Sequence, residues 1–174
     1  MKRWLTFSGA LALGAMLAGL ALAQGNPRGT SALTLNGAKV SVEYGRPSLH
    51  GSTVESRLSE LPAGEVWRLG ADKSTTFSTS GDLAFGPVTV PKGEYSLWAR
   101  KEADGTWKLV FNKQHGQWGT NHDPAKDFQA VPLSETKASS PAEQVTLNLE
   151  KQGNGGAITV LWGDLELATN FSTK

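Results

Sequence analysis

The chain has 174 residues, with 17 Lys and Arg, 16 Asp and Glu, 3 His and no Cys, and a formal charge of +1. That length suits one domain with an ordinary core, and a charge so near zero leaves no electrostatic footprint for nucleic acid. The missing cysteine excludes disulfides, thiolate metal sites, a cysteine nucleophile and a lipoprotein anchor.

Lys2 and Arg3 precede an uncharged run over residues 4–23 that ends Ala21-Leu22-Ala23 and is followed by Gln24. A positive start, an apolar middle and a small-x-small end predict a signal peptide helix over residues 1–23, cleaved between Ala23 and Gln24. The competing reading is an uncleaved anchor, because the run is about long enough to span a bilayer. Gly9, Gly14 and Gly19 weaken a long helix there, and the small residues stand where cleavage needs them. The expected destination is periplasmic or secreted, with no membrane segment after cleavage. Removal of Lys2 and Arg3 lowers the formal charge by two from +1. Met1 and Met16 leave as well, so the exported chain has neither Met nor Cys.

Residues 24–31 are poor in apolar groups and read as a flexible leader to a domain over 32–174. Leu33 and Leu35 then alternate with polar residues, and Asn36-Gly37 predicts a two-residue hairpin turn. Val40, Val42 and Tyr44 share one face of the next strand, which ends at Gly45-Arg46-Pro47. Residues 52–61 predict one helical turn, capped by Ser52 with Glu55 and stopped by Pro62 and Gly64. Strands are expected over 65–69, 75–79, 83–85 and 88–90, followed by a Pro91-Lys92-Gly93 turn. Residues 94–100 and 106–112 flank Asp104-Gly105 as a hairpin. Residues 115–126 form a long polar loop, 128–133 a strand and 134–141 a polar link. Alternation returns at Val145, Leu147 and Leu149 and at Ile158, Val160 and Trp162, around a Gly-rich turn. Gly163-Asp164 predicts a tight turn into a last strand over 165–171. Roughly ten short strands with frequent turns predict a single all-β domain, an antiparallel β-sandwich with jelly-roll-like or barrel-like variants open.

Trp67, Trp98, Trp107 and Trp162 fall in expected strands and read as core aromatics. Trp118 lies in the polar loop, where it either folds onto the sandwich or offers its face to a sugar ring. His115, His122, Asp123 and Asp127 make the one dense metal-capable stretch. Its His-x6-His-Asp spacing matches no compact ligand pattern, so His115, His122 and Asp123 are weak metal candidates and no metal or cofactor is expected. His50 reads as a turn residue. Arg46 and Arg68 stand out, one between Gly45 and Pro47, the other in the apolar run Val66-Trp67-Arg68-Leu69. Each either pairs with a carboxylate or backbone carbonyl, or recognises an anionic ligand. No nucleophile elbow, S-x-x-K, H-E-x-x-H or phosphate loop is present, so no catalytic residue is assigned.

These segments resemble the secreted bacterial family known as domain of unknown function 2911. The matching pieces are Tyr44-Gly45-Arg46-Pro47, Val66-Trp67-Arg68-Leu69-Gly70-Ala71 and Ser74-Thr75-Thr76-Phe77. They continue through Pro91-Lys92-Gly93-Glu94-Tyr95-Ser96-Leu97, then Trp107-Lys108-Leu109-Val110-Phe111-Asn112-Lys113, Gln117-Trp118-Gly119 and Asp127, over about residues 40–133. Where the family usually has Arg this chain has Ser52, and Asp72-Lys73 replaces its usual Asn-Glu. The resemblance implies an exported all-β domain and brings no activity with it.

The leading expectation is a non-catalytic binding domain of the envelope, with a glycan or an envelope protein as partner. Its expected surface comprises Arg46, Arg68, Asp72, Lys73, His115, Trp118 and His122. The alternatives are a hydrolase or metal-dependent enzyme using the 115–127 loop, and a structural or assembly protein.

Overall fold

Alternation of apolar and polar residues is realised as extended chain almost throughout. The computed structural model describes residues 25–174, and the expected signal peptide with its Ala23–Gln24 junction lies outside the described residues. The strands are β1 (Arg28–Leu35), β2 (Ala38–Gly45), β3 (Val66–Trp67), β4 (Thr76–Thr79), β5 (Leu83–Phe85) and β6 (Val88–Val90). They continue with β7 (Gly93–Lys101), β8 (Trp107–Asn112), β9 (Asp127–Gln152) and β10 (Gly155–Thr173), and one short helix, α1 (Val54–Leu58), precedes β3. All pairings are antiparallel, in the order β1-β2-β4-β7-β8-β9-β10-β5-β6, with β3 on β7, and the sheet is not closed. The chain is therefore a single all-β domain. Among the described residues no helix is long and apolar enough to cross a membrane, which says nothing of strands.

The sheet folds over on itself, and the aromatic contacts show it. β8 and β5 are separated along the sheet by β9 and β10, yet the Phe111 and Phe85 rings meet, tilted, at 5.2 Å between centroids. Phe77 of β4 meets Phe111 at 5.5 Å, and Phe171 of β10 meets Phe85 at 5.4 Å. At the other end of the core Trp67 stacks on Trp162 at 5.5 Å and meets the edge of Trp107 at 6.4 Å. Leu97, Leu109, Leu147, Ile158 and Leu167 complete an interior excluded from water.

The fold-over is made in β9 and β10. Residues 138–141 of β9 stand against Asp164 alone, and 143–145 against Trp162 alone. Surplus residues on one strand bend it and increase its twist, so the pair turns a corner without leaving the ladder. Gly163 takes φ 57° at that corner. Two expectations are corrected here. The polar link over 134–141 is strand, and Gly163-Asp164 is a bulge inside β10 rather than a turn.

Two further corrections concern the first third of the chain. Half of the expected flexible leader is β1, whose residues Arg28 to Ser31 pair with Gly45 to Val42. Arg28 is tied to Glu43 at 2.8 Å, and Gly29 is where the Tyr44 ring crosses so closely that a Cβ would sit 2.7 Å from it. The cap of α1 is Thr53, whose hydroxyl accepts from the Ser56 amide, whereas Ser52 belongs to the preceding turn and donates its amide to the Leu49 carbonyl. Asn36-Gly37 does form the hairpin turn, with φ of 49° and 86°.

Candidate functional site

Because successive residues of a strand face opposite sides, β7 and β8 present a second row of side chains away from the core. Ser96 pairs with Asn112, Trp98 with Val110 and Arg100 with Lys108 across the two strands. Ser96, Trp98, Val110 and Asn112 are nonetheless buried, although Trp98 and Val110 are outside the core cluster. The loop over residues 113–126 shares this outer face with them. Trp98 donates to the Ser96 hydroxyl at 2.8 Å, Gln117 reaches the same oxygen at 3.3 Å, and the His122 ring lies 4.7 Å from the indole.

Asn112 anchors that loop at both ends. Its amide nitrogen donates to the Asp123 carbonyl at 2.8 Å and to Asp127 Oδ1 at 2.7 Å, and its oxygen accepts from the Gln114 amide at 2.9 Å. A register shift between Phe111 and Asn112 sets Asp127 opposite Asn112, with Phe128 as the surplus residue. His122 Nε2 lies 2.8 Å from the same Asp127 Oδ1. An ionised carboxylate only accepts, so in the neutral imidazole this contact holds the proton on Nε2 and leaves the Nδ1 lone pair free. Among the described residues Nδ1 has no partner.

A second piece of chain frames the site. β7 shares one edge between β4 and β3, and residues 68–75 leave the sheet in the gap. Leu69 and Asp72 take φ of 52° and 62°, and the buried Thr75 hydroxyl closes the excursion on the Leu69 carbonyl at 3.1 Å. The loop docks onto it. The Gly119 amide donates to the Asp72 carbonyl at 2.7 Å, the Ser74 amide to the Gln117 carbonyl at 2.9 Å, and Lys73 bridges to Trp118. Between these pieces and α1 lies an open groove of about 720 Å³, lined by Arg68, Arg100, Trp98, Gly119, His122 and Asp127, with Arg57, Glu60 and Glu65 from the α1–β3 side.

The expected site residues divide accordingly. Arg68 and His122 share the groove, and Arg68 has no side-chain hydrogen bond or ion pair among the described residues. Trp118, next to Gly119, is 52% exposed, so it is not folded onto the sheet. Asp72 holds the start of the domain through the Asn26 amide at 2.8 Å, and Lys73 is exposed, its carbonyl accepting from Arg28. Arg46 lies elsewhere, its guanidinium reaching the Val145 carbonyl and the Thr146 hydroxyl on β9. His115 lies 3.9 Å from Glu94 and does not line the groove with His122, and Asp123 caps a one-turn 3-10 helix (Pro124–Lys126) by accepting from the Ala125 amide. Among the described residues no three His, Asp or Glu side chains gather as a metal group. Trp98, expected as a core aromatic, is buried on this outer face instead, and Ser96 and Asn112 carry no site role in the sequence because alternation does not tell that this face is covered.

A family model described as Protein of unknown function (DUF2911) matches residues 26–171, a wider span than the segments that carry the resemblance. No curated protein and no solved structure matches the chain.

Proposed function

The chain belongs to the Protein of unknown function (DUF2911) family, and we propose that this member is an exported, non-catalytic binding domain that holds a glycan of the envelope in the groove beneath the 113–126 loop. The unpartnered Arg68 guanidinium, in one groove with an oriented His122, carries the reading. An arginine is costly to leave without a partner when partly buried, and it is well suited to an anionic group. The exposed indole of Trp118, next in sequence to the groove residue Gly119, supplies an apolar face of the kind that sugar rings stack on.

Glycan-array or titration binding by the purified domain tests this. Trp118→Ala should weaken binding about tenfold, the scale of one aromatic stack, with the thermal transition unchanged. Retained binding in that variant removes Trp118 from the surface, and no binding by the parent domain to any envelope glycan overturns the reading. Export is tested separately by sequencing the N-terminus of the protein from periplasmic and culture fractions. A chain that begins at Gln24 supports it, and an intact chain retained in the membrane overturns it.

The His122–Asp127 pair favours a second reading, since an imidazole oriented by a carboxylate with its other nitrogen free is the arrangement of a general base. Such a hydrolase would cleave bound oligosaccharides at a rate abolished by His122→Gln. Recovery of every oligosaccharide uncleaved after prolonged incubation rejects it.

A further inference from the structure

We propose that the groove selects one chemical class of ligand, a sugar unit that carries both a single anionic group and a free hydroxyl. The carboxylate or phosphate ester sits on Arg68 and the hydroxyl donates to His122 Nδ1. The inference rests on the binding reading above and specifies its ligand.

The cations of the groove are not equivalent. Arg57 donates to the Leu49 carbonyl at 3.1 Å, and Arg100 is paired with Glu102 at 3.1 Å. Arg68 alone among the groove's arginines has its guanidinium uncommitted among the described residues. Its stem passes close to the Gly119 backbone, where a Cβ would lie 3.3 Å from Arg68 Cδ. An unpaired guanidinium is a fork for a carboxylate or phosphate oxygen pair.

The acids set the upper limit on ligand charge. Glu60 and Glu65 line the same groove without an ion pair among the described residues, so they repel a polyanion while Arg68 holds one anionic group. Asp127 adds a third carboxylate to the lining, since its hydrogen bonds from Asn112 and His122 leave its negative charge in place.

His122 supplies the second half of the selection. With Nε2–H committed to Asp127, Nδ1 presents a lone pair and accepts from an O–H or N–H of the ligand. An anion without a donor satisfies Arg68 and leaves Nδ1 unpaired. A neutral sugar satisfies Nδ1 and leaves Arg68 unpaired. A sugar acid or sugar phosphate satisfies both, and a groove of about 720 Å³ is of the size that takes small ligands.

Titration with four probes tests this: uronic-acid oligosaccharides, the same oligosaccharides after carboxyl reduction, a hexose phosphate and inorganic sulfate. The acidic oligosaccharide or the hexose phosphate should bind at least about tenfold more tightly than the reduced oligosaccharide, and whichever binds more tightly identifies the anion. Arg68→Gln should erase that preference while leaving the thermal transition in place. Asp127→Asn, nearly isosteric, should weaken binding of the hydroxylated anion without restoring affinity for the neutral sugar. Equal affinity for the acidic and reduced oligosaccharides overturns the inference and leaves the binding domain standing. Inorganic sulfate, which has no O–H to donate, binding as tightly as hexose phosphate overturns the hydroxyl contact. Failure of all the oligosaccharides and the hexose phosphate overturns the binding reading itself.

Discussion

Asn112 is the side chain on which the candidate site turns. It is fully buried on the outer face of β8 and makes three hydrogen bonds, two at the end of the loop and one at its start. Its replacement by alanine strands a carbonyl and an amide and leaves Asp127 Oδ1 with His122 alone. At about 1 kcal/mol for each bond lost, more where a buried group is left unpaired, Asn112→Ala should cost about 3 kcal/mol. Urea denaturation measures this, and a loss below about 1 kcal/mol would show that the loop holds without it. Groove binding should fall in the same variant, because Asp127 and His122 lose their common anchor. Arg68 and His122 were legible as candidates from residue type alone, since an arginine in an apolar run and an imidazole in a polar loop both ask for a partner. Asn112 and Ser96 were not. Polar residues alternating with leucine and phenylalanine read as a solvated face, and only the folding of residues 113–126 over that face makes them interior.

At the scale of elements, the site depends on places where the ladder is interrupted. The surplus Phe128 turns Asp127 to the loop side, and the packing of the Phe128 ring on Tyr95 at 6.2 Å and under the Lys113 ammonium at 4.5 Å fixes the bulge. The excursion over 68–75 presses its backbone against the end of β2, where a Cβ on Gly45 would overlap the Ala71 carbonyl oxygen. Gly45→Ala therefore meets main chain rather than a yielding side chain. It should cost at least about 3 kcal/mol, the upper end for overpacking, and loosen residues 68–75 first, seen as faster amide exchange there than in β9. Uniform exchange with an unchanged denaturation midpoint would contradict that contact. Period-two alternation and turn dipeptides made the strands and the Asn36-Gly37 hairpin readable. Bulges do not announce themselves in this way. Ser139, Ser140 and Pro141 have the composition of a linker, and Gly163-Asp164 that of a turn, yet both belong to the corner that folds one sheet into two layers.

The same two-layer arrangement sets how the whole molecule responds to pH, and the two limits act on opposite ends of β7. Glu102 lies just past its C-terminal end, where the Arg100 hydrogen bond, with help from Lys108, holds the carboxyl below the usual glutamate range against the opposing effect of burial. Asp104 in the same turn is lowered by hydrogen bonds from the Thr106 hydroxyl and amide. A carboxyl lowered on folding stabilises above its ordinary range and loses that contribution as pH falls through the lowered value. Acid should therefore loosen the β7–β8 turn. Tyr95, near the start of β7, behaves in the reverse sense. Burial, reinforced by the negative charge of Asp82, raises its phenol above the ordinary tyrosine value while its hydroxyl donates to the Pro91 carbonyl at 2.9 Å. A raised group contributes fully below its ordinary value and loses the contribution as pH rises through the raised one. Thermal transitions recorded from acid to strong alkali should be flat in between and fall at both ends. Tyr95→Phe should flatten the alkaline limb alone, and Glu102→Gln should reduce the acid limb alone. Were Tyr95→Phe to leave the alkaline limb unchanged, the phenol would not be what couples alkaline pH to the core at Phe111, whose ring it meets edge-on at 6.0 Å.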